Sequence, residues 1–224
     1  MKNMRISSGK YKGRMLKVPK DIRPTQGLVR KALFDILGDI EGLSFLELFA
    51  GSGAVGFEAV SRGVQDLTLV EYNRSCLMAI RKNIESLKPK ACDLYPKEAG
   101  DTIEAFHKNK RKFDIIFLDP PYYRSPRRRR GDSQSHRPGG HGLACDSQSH
   151  RPPRRRRGDS QSHKEMSKKI LQMLGAYDIL APNGFVVVQH FKKEELLKEN
   201  GKLVLIKEAS YGDTVLSFYK KRCQ

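Results

Sequence analysis

Four consecutive residues, Asp119-Pro120-Pro121-Tyr122, combine a carboxylate, a rigid turn and an aromatic ring. They follow the apolar run 113–118, whose β-branched and aromatic residues are typical of a buried central strand of a parallel sheet. The two prolines end that strand, because proline cannot donate to a ladder. Ligands of open α/β sheets bind at the carboxyl ends of strands, so these residues are candidates for chemistry. The alternative is an ordinary strand-end turn.

A second candidate site lies upstream of this turn. The short apolar run 43–50 is followed by the glycine loop Gly51-Ser52-Gly53 and by a helical pattern through Val60. Glycine lets a backbone approach a ligand closely, and the start of a helix offers unpaired N–H groups. The next apolar run, 67–70, ends in Glu71, an acid placed to accept hydrogen bonds from ribose hydroxyls.

The spacing Gly-x-Gly-x-x-Gly, with an acid twenty positions after Gly51, also matches the dinucleotide pattern, so a nicotinamide cofactor has to be weighed. Glu47 argues against it, because a carboxylate four residues before the first glycine would repel a pyrophosphate. The same carboxylate suits the ammonium group of a methionine moiety. S-adenosylmethionine has a ribose and an adenine but no phosphate. Glu47, the loop Phe49-Ala50-Gly51-Ser52-Gly53 and the downstream Asp119 therefore favour S-adenosylmethionine.

The chain resembles the bacterial 16S ribosomal RNA guanine-N2 methyltransferases, the RsmD-type family within the class I methyltransferases. The resemblance covers most of the chain, and several motifs in the right order are stronger evidence than any one alone. The matching residues are 5–14, 23–25, 29–30, 48–53, 58–63, 70–71 and 119–122.

The resemblance implies an α/β, Rossmann-like class I methyltransferase fold, with a mostly parallel seven-stranded sheet, an antiparallel last strand and an N-terminal β-hairpin. It implies S-adenosylmethionine as cofactor and 16S rRNA in a small ribosomal subunit particle as partner. We separately expect a monomer. Asp101 resembles the adenine-contacting acid of the family, with a plain helix cap as the alternative. Arg23, Thr25 and Arg30 match a motif near cofactor and substrate, with packing or solvated charge as the alternative.

Two segments carry almost all of the net charge of +18. Residues 1–31 contain ten basic residues and one acidic residue, and residues 124–163 contain eleven arginines and three aspartates. Basic residues clustered on one surface attract nucleic acid. We predict a basic β-hairpin over 4–8 and 12–18 that contacts RNA phosphates. The candidate RNA-binding residues are Arg5, Lys10, Lys12, Arg14, Arg23 and Arg30.

Residues 124–163 do not follow the pattern of a folded segment. The stretches 126–136 and 153–163 are identical, and 146–150 repeats their last five residues. Almost no apolar residue is present to offset the ordering entropy, so we expect disorder. Removing the segment restores the family pattern. We interpret 124–163 as an insertion into an S-adenosylmethionine-dependent methyltransferase domain formed by 32–123 and 164–224. The basic hairpin and RNA-contact segment 1–31 precedes that domain. Inert extra sequence is the favoured interpretation, with an RNA-binding arm or a metal site through its histidines and Cys145 as alternatives.

The remaining sequence alternates between strands and helices, which is the doubly wound pattern. Strands are expected near 44–49, 67–71, 91–95, 113–118 and 184–190, and helices near 54–62, 74–88, 99–109 and 164–177. A helix over 27–37 would pack Leu28, Leu33, Phe34 and Leu37 in the core, and 202–208 with 214–220 would form a hairpin. With no membrane-length apolar run and no signal-peptide core, we expect a cytoplasmic protein.

The expected mechanism follows from the chemistry of an exocyclic amine. The lone pair of the guanine amino group is delocalised into the ring, so the amine is a poor nucleophile. Asp119 and the Pro120 carbonyl would accept its hydrogens, alignment with the methyl group would supply much of the rate, and Tyr122 would stack on the flipped base. An amino-directed DNA methyltransferase is disfavoured, because the chain without the insertion is too short to include a target-recognition domain. A non-catalytic RNA-binding or assembly factor, and third a nicotinamide oxidoreductase, remain alternatives.

Overall fold

The computed structural model describes residues 1–20, 22, 25–120 and 159–222. Arg23, Pro121, Tyr122 and nearly all of the predicted insertion lie outside these residues. Within them the strands are β1 Lys2–Arg5, β2 Met15–Val18, β3 Ser44–Leu48, β4 Asp66–Val70, β5 Cys92–Tyr95, β6 Phe113–Leu118, β7 Leu180–Phe191, β8 Glu199–Asn200, β9 Leu203–Tyr211 and β10 Thr214–Lys221. The helices are α1 Gly27–Leu37, α2 Ala54–Ser61, α3 Arg74–Leu87, α4 Ala99–Lys108 and α5 Asp159–Ala176.

The main sheet has the strand order β5-β4-β3-β6-β7-β10-β9-β8. Strands β5, β4, β3, β6 and β7 run parallel, while β10 pairs antiparallel with both β7 and β9. This confirms the mostly parallel sheet with an antiparallel last strand, and the two-residue β8 adds an eighth, edge strand to the seven expected. The chain leaves β3 first towards β4 and later returns to its other side as β6. The crevice outside the carboxyl ends of β3 and β6 is therefore the topological switch point, where such sheets bind ligands.

Helices cover both faces of the sheet, as the alternation predicts. Side chains of α1, α2 and α3 pack in one hydrophobic core, and side chains of α4 and α5 pack in a second core on the opposite face. Strand β6 serves both, because Ile115 and Phe117 face the first core and Ile116 and Leu118 face the second. Asp119 is the next residue in this alternation, so its side chain turns towards the face that α1 covers.

The N-terminal hairpin is confirmed, but its strands are shorter than predicted. β1 and β2 pair from Lys2 with Val18 to Arg5 with Met15. Beyond the pair of Arg5 with Met15 the regular ladder ends, although the Ile6 N–H still donates to the Arg14 carbonyl at 3.0 Å. The turn that follows contacts α2, where the Lys10 N–H donates to the Ser61 carbonyl at 2.7 Å. A side chain at Gly9 would collide with that carbonyl. The turn therefore docks on α2 through its backbone.

Helix α1 has the predicted bounds, but one of its predicted core residues is wrong. Val29, Leu33 and Phe34 are buried, whereas the side chain of Leu28 is 67% exposed. The helical repeat places Leu28 beside the buried stripe, not within it. Among the helices that the structure describes, none is long and apolar enough to cross a membrane.

Candidate functional site

Asp119 lies at the carboxyl end of β6, and its two carboxyl oxygens have different surroundings. Oδ2 accepts hydrogen bonds from the Gln189 side-chain amide at 2.7 Å and from the Thr25 hydroxyl at 3.3 Å. Oδ1 is buried and has no hydrogen-bond partner among the described residues. Buried acceptors are nearly always paired in folded proteins, and Oδ1 can accept a hydrogen bond from a ligand group.

The environment of Asp119 also changes its proton affinity. Burial raises the pKa of Asp119 to about 7, and the hydrogen bond from Thr25 acts in the opposite direction. At neutral pH the protonated and ionised forms therefore coexist. The ionised form can accept two hydrogens at Oδ1, and its raised pKa makes it a competent proton acceptor.

The glycine loop begins with a strained residue directly after β3. Phe49 has a φ of 59°, a left-handed conformation that costs a non-glycine residue about 1 kcal/mol or more. Gly51 and Gly53 also have positive φ angles, of 57° and 73°. A Cβ at Gly53 would lie 2.6 Å from the Phe57 ring, so only glycine fits there. The predicted loop is confirmed as a tight turn from β3 into α2, with the Ala50 N–H held by the Val70 carbonyl at 3.0 Å.

Glu71 lies at the end of β4, next to the glycine loop. Its Oε2 accepts the Gly51 N–H at 2.8 Å, and its Oε1 accepts the N–H groups of Tyr72 and Asn73 at 2.9 and 2.8 Å. These bonds fix the orientation of the carboxylate, which has further lone pairs for the hydroxyl donors of a ribose. The ribose contact itself stays a prediction.

The side chain of Glu47 is more deeply buried than we expected from the sequence. Its side chain is 3% exposed, and Oε2 accepts the Gly56 N–H in α2 at 2.8 Å. Burial raises the pKa of Glu47 to about 8, against the N–H groups of Gly56 and Val55, and the charges of Asp119 and Glu71 raise it further. The group is therefore mostly protonated at neutral pH. A contact with an ammonium group remains a prediction, and it requires that the cation displace this proton.

Glu47, Glu71 and Asp119 come from the ends of three adjacent strands, β3, β4 and β6. The charges of Glu71 and Asp119 both raise the pKa of Glu47, so the three acids interact across the switch point. A cationic ligand would favour the ionised forms of these acids, whereas a pyrophosphate would oppose their ionisation. This electrostatic arrangement fits a sulfonium and ammonium cofactor better than a dinucleotide.

Asp101 lies in the first turn of α4 and is exposed. The N-cap of that helix is Glu98, so Asp101 is not the cap residue that was the alternative explanation. An acid in the first turn still interacts favourably with the helix dipole. The contact with adenine stays a prediction.

The predicted RNA-binding residues separate into exposed and buried ones. Arg5, Lys10, Lys12 and Arg14 are exposed on the hairpin, and Arg14 also donates to the Ser86 carbonyl of α3. Arg30 differs, because its side chain is buried. Its guanidinium lies 3.4 Å from the Glu58 carboxylate and donates to the Arg5 carbonyl at 3.0 Å. The prediction of an RNA contact for Arg30 is therefore corrected: this residue holds the hairpin on the domain.

Two polar residues at the site were not predicted from the sequence. Gln189, in β7, donates to Asp119, and its signal was an amide directly after the apolar run 185–188. Asn83 is buried in α3, where it pairs with both backbone groups of Lys17 and donates to the Ser52 carbonyl at 3.0 Å. Its signal was a polar residue on the core-facing side of an amphipathic helix. Asn83 thereby links the hairpin to the glycine loop.

No cluster of three or more metal-binding side chains occurs in the part of the chain that the structure describes. The histidines and Cys145 of the predicted insertion fall outside that part.

Comparison with known proteins relates the chain to RNA-modifying enzymes. Residues 4–128 and 162–220 match the family model described as conserved hypothetical protein 95. The Bacillus subtilis protein named "Putative rRNA methyltransferase YlbH" is 29% identical over 223 residues, which cover 98% of this chain and 100% of that protein. The Escherichia coli protein named ribosomal RNA small subunit methyltransferase D is 36% identical over 124 residues, which cover 54% of this chain and 61% of that protein.

Several solved structures with the same fold are titled as methyltransferases or methylases. The structure titled "Putative methyltransferase yhhF from Escherichia coli" has a TM-score of 0.71 at 24% identity and covers 100% of both chains. The structure of SMU.776, titled as a putative methyltransferase complexed with SAH, has a TM-score of 0.57 at 16% identity and covers 86% of this chain and 48% of that chain. The fold is that of class I methyltransferases, and because the family model matches most of the sequence, this chain belongs to the RsmD-type family within that class.

Proposed function

We propose that this protein transfers the methyl group of S-adenosylmethionine to the exocyclic N2 amine of a guanine in 16S ribosomal RNA. The observation that carries the proposal is the buried, unpartnered Oδ1 of Asp119 at the switch point. The names of the bacterial relatives support ribosomal RNA as the substrate class. The SAH complex of a structural neighbour supports the cofactor.

The residues at the switch point fit S-adenosylmethionine. Glu71 would accept the ribose hydroxyls, the backbone of Gly51, Ser52 and Gly53 would lie against the methionine moiety, and Glu47 would pair with its ammonium group. Asp101 is proposed at the adenine and Thr25 at the rim between cofactor and substrate. The bound cofactor supplies an electrophilic methyl group on a positively charged sulfur.

Asp119 is the proposed catalytic residue. Its free Oδ1, assisted by the carbonyl of Pro120, accepts hydrogen bonds from the amino group and localises the nitrogen lone pair towards the methyl group. Bound S-adenosylmethionine would supply the methyl group and leave as a neutral thioether, and the amine nitrogen would become positive and release a proton. A carboxylate with a pKa of about 7 is suited to take that proton at neutral pH. Gln189 and Thr25 hold Oδ2, so the carboxylate cannot rotate away from the base.

Pro121 and Tyr122 remain proposals from the sequence, because they lie outside the described residues. A stacked ring at Tyr122 would hold the flipped guanine with a contribution of about 1 to 3 kcal/mol. The exposed basic side chains Arg5, Lys10 and Lys12 of the hairpin would contact RNA phosphates.

The decisive experiment supplies labelled S-adenosylmethionine together with 16S RNA, small ribosomal subunit particles or DNA, and then identifies the modified nucleoside. We expect N2-methylguanosine from RNA or particles, and none with an Asp119→Ala variant. Label in N6-methyladenine of DNA would identify a DNA methyltransferase instead. Cofactor binding without transfer to any substrate would identify a non-catalytic RNA-binding factor.

A further inference from the structure

The outer face of α3 is a basic surface outside the residues that the proposed function uses. Arg74, Arg81, Lys82 and Lys88 are all exposed, and Glu85 is the acid among them. The helical repeat places Arg74, Arg81 and Glu85 on one stripe, Lys82 lies beside that stripe, and Lys88 follows the helix as its C-cap. We call these four basic residues the α3 surface. This local excess of positive charge is not apparent from the net charge of the chain, because acids elsewhere in the chain cancel it.

The α3 surface keeps an excess of positive charge, because Glu85 is a single acid among four basic residues. None of the four basic side chains forms an ion pair with another residue in the described ranges, where the ion pairs involve Arg30, Arg62, Arg111, Lys112, Lys221 and Arg222. Arg74 lies in the first turn of α3, which contains no acid, so its charge opposes the helix dipole. Adjacent Arg81 and Lys82 also repel each other. An exposed excess of positive charge of this kind attracts an anionic partner.

The α3 surface is continuous with the basic hairpin. Arg14 of the hairpin donates to the Ser86 carbonyl, one turn beyond Lys82. The backbone of Lys17 is bound to Asn83, which directly follows Lys82 in the helix. The exposed side chains of Lys17 and Lys82 therefore belong to neighbouring parts of one face. At its other end, α3 begins three residues after Glu71, so the surface runs from the cofactor edge to the hairpin.

We infer that the α3 surface binds the phosphate backbone of the substrate RNA, as an extension of the hairpin. The fourteen residues of α3 span about 21 Å, which is long enough to contact several successive phosphates. Phosphate contacts position a nucleic acid without reading its sequence. The inference rests on the proposed function for the identity of the RNA, but it concerns binding and not methyl transfer.

The test compares two matched pairs of adjacent basic residues on opposite faces of the sheet. Arg81→Ala/Lys82→Ala removes two charges from the α3 surface, and Lys168→Ala/Lys169→Ala removes two exposed charges from α5. Alanine keeps helix propensity high in both variants, and thermal unfolding verifies that both remain folded. Binding to a 16S RNA transcript is measured across a salt series, and S-adenosylmethionine binding is measured by calorimetry.

We expect the α3 variant to bind RNA more weakly. The slope of the logarithm of the binding constant against the logarithm of salt concentration should become shallower by about 1.4 to 1.8 for two lost contacts. The α5 variant should match the wild type, and S-adenosylmethionine binding should be unchanged in both. Equal losses in both variants, or no loss in either, would overturn the inference. A loss seen with assembled particles but not with naked RNA would also overturn it, in favour of an acidic protein partner. Wild-type protein that binds RNA without methylating it would refute the proposed function but leave this inference standing.

Discussion

Two buried acids, Glu58 and Asp119, differ in how their carboxyl oxygens are paired. Glu58 lies where the hairpin meets α2, and Asp119 lies at the carboxyl end of β6. Glu58, in α2, is fully buried, and both of its oxygens are paired: Ser7 donates from its N–H and hydroxyl at 2.9 and 2.6 Å, and Arg30 and Arg62 lie within 3.4 Å. Among the described residues, Asp119 has two donors on Oδ2 and none on Oδ1. A fully paired acid holds elements together, whereas a half-paired one keeps an oxygen for a ligand. Hydrogen-bond satisfaction, more than burial, separates structural from functional carboxylates here.

The largest expected effect is the loss of methyl transfer on removing the half-paired acid. Asp119→Ala should lower the rate by about 10³-fold or more, or about 4 kcal/mol in the barrier, because the amine loses its acceptor. S-adenosylmethionine affinity should change little. Radiolabel transfer and calorimetry measure the two quantities on the same protein. Wild-type turnover in this variant would end the proposed role of Asp119.

Removing the fully paired acid should instead cost stability. Glu58→Ala leaves Arg30 buried without its counter-charge, and we expect a loss of about 3 kcal/mol in the free energy of unfolding, measured by urea denaturation. The exposed Glu85→Ala serves as the control and should be near neutral. If Arg30→Met/Glu58→Leu is no more stable than Glu58→Ala, the unpaired charge is not the cause.

Glu71 lies between the two cases, because three backbone N–H groups orient it and a ligand is proposed for its remaining lone pairs. Glu71→Ala should weaken S-adenosylmethionine binding about 30-fold, or about 2 kcal/mol. Calorimetry gives the affinity, and urea denaturation should show a smaller loss of stability than for Glu58→Ala. An unchanged affinity would remove Glu71 from the cofactor site.

The smallest effect is expected from the residue that orients Asp119. Gln189→Leu should lower the rate about 10-fold, because Oδ2 loses its shorter hydrogen bond and the carboxylate gains freedom to rotate. For wild type, the ionised form is the active one, so the rate should rise with pH through about 7 and fall below it. Loss of a donor to the ionised form should move this midpoint upwards in the variant. An unchanged pH profile would mean that Gln189 has only a packing role.

Stability should respond to pH in the opposite sense. The folded-state pKa values of Asp119 and Glu47 are raised above their ordinary values, so the folded protein binds protons more tightly than the unfolded chain. Their contribution to stability is therefore fully present below about pH 4 and is lost as pH rises through 7 to 8. Urea denaturation of Glu47→Gln across this range should show a shallower decline than wild type, and an equal decline would contradict the raised pKa.

The parts of the site that the sequence predicted correctly are local in the chain. The glycine loop and the strand before Asp119 depend on residue types within a few positions, so periodicity and turn chemistry sufficed. The burial of Arg30 could not be predicted, because Glu58 lies twenty-eight positions away and meets it only after α1 packs on α2. Gln189 and Asn83 were missed for the same reason: their partners are 70 and 66 residues distant.

Asn83 has a consequence for how this family can diversify. The Asn83 side chain donates to the backbone carbonyls of Lys17 in the hairpin and Ser52 in the glycine loop. Replacing the hairpin would therefore also affect the loop. Grafting a hairpin from a relative would also shift the loop unless the backbone at Lys17 kept its place. Changes in RNA preference at this end of the protein are therefore expected to arise by exchanging outward side chains on a fixed backbone, and not by exchanging the hairpin as a unit.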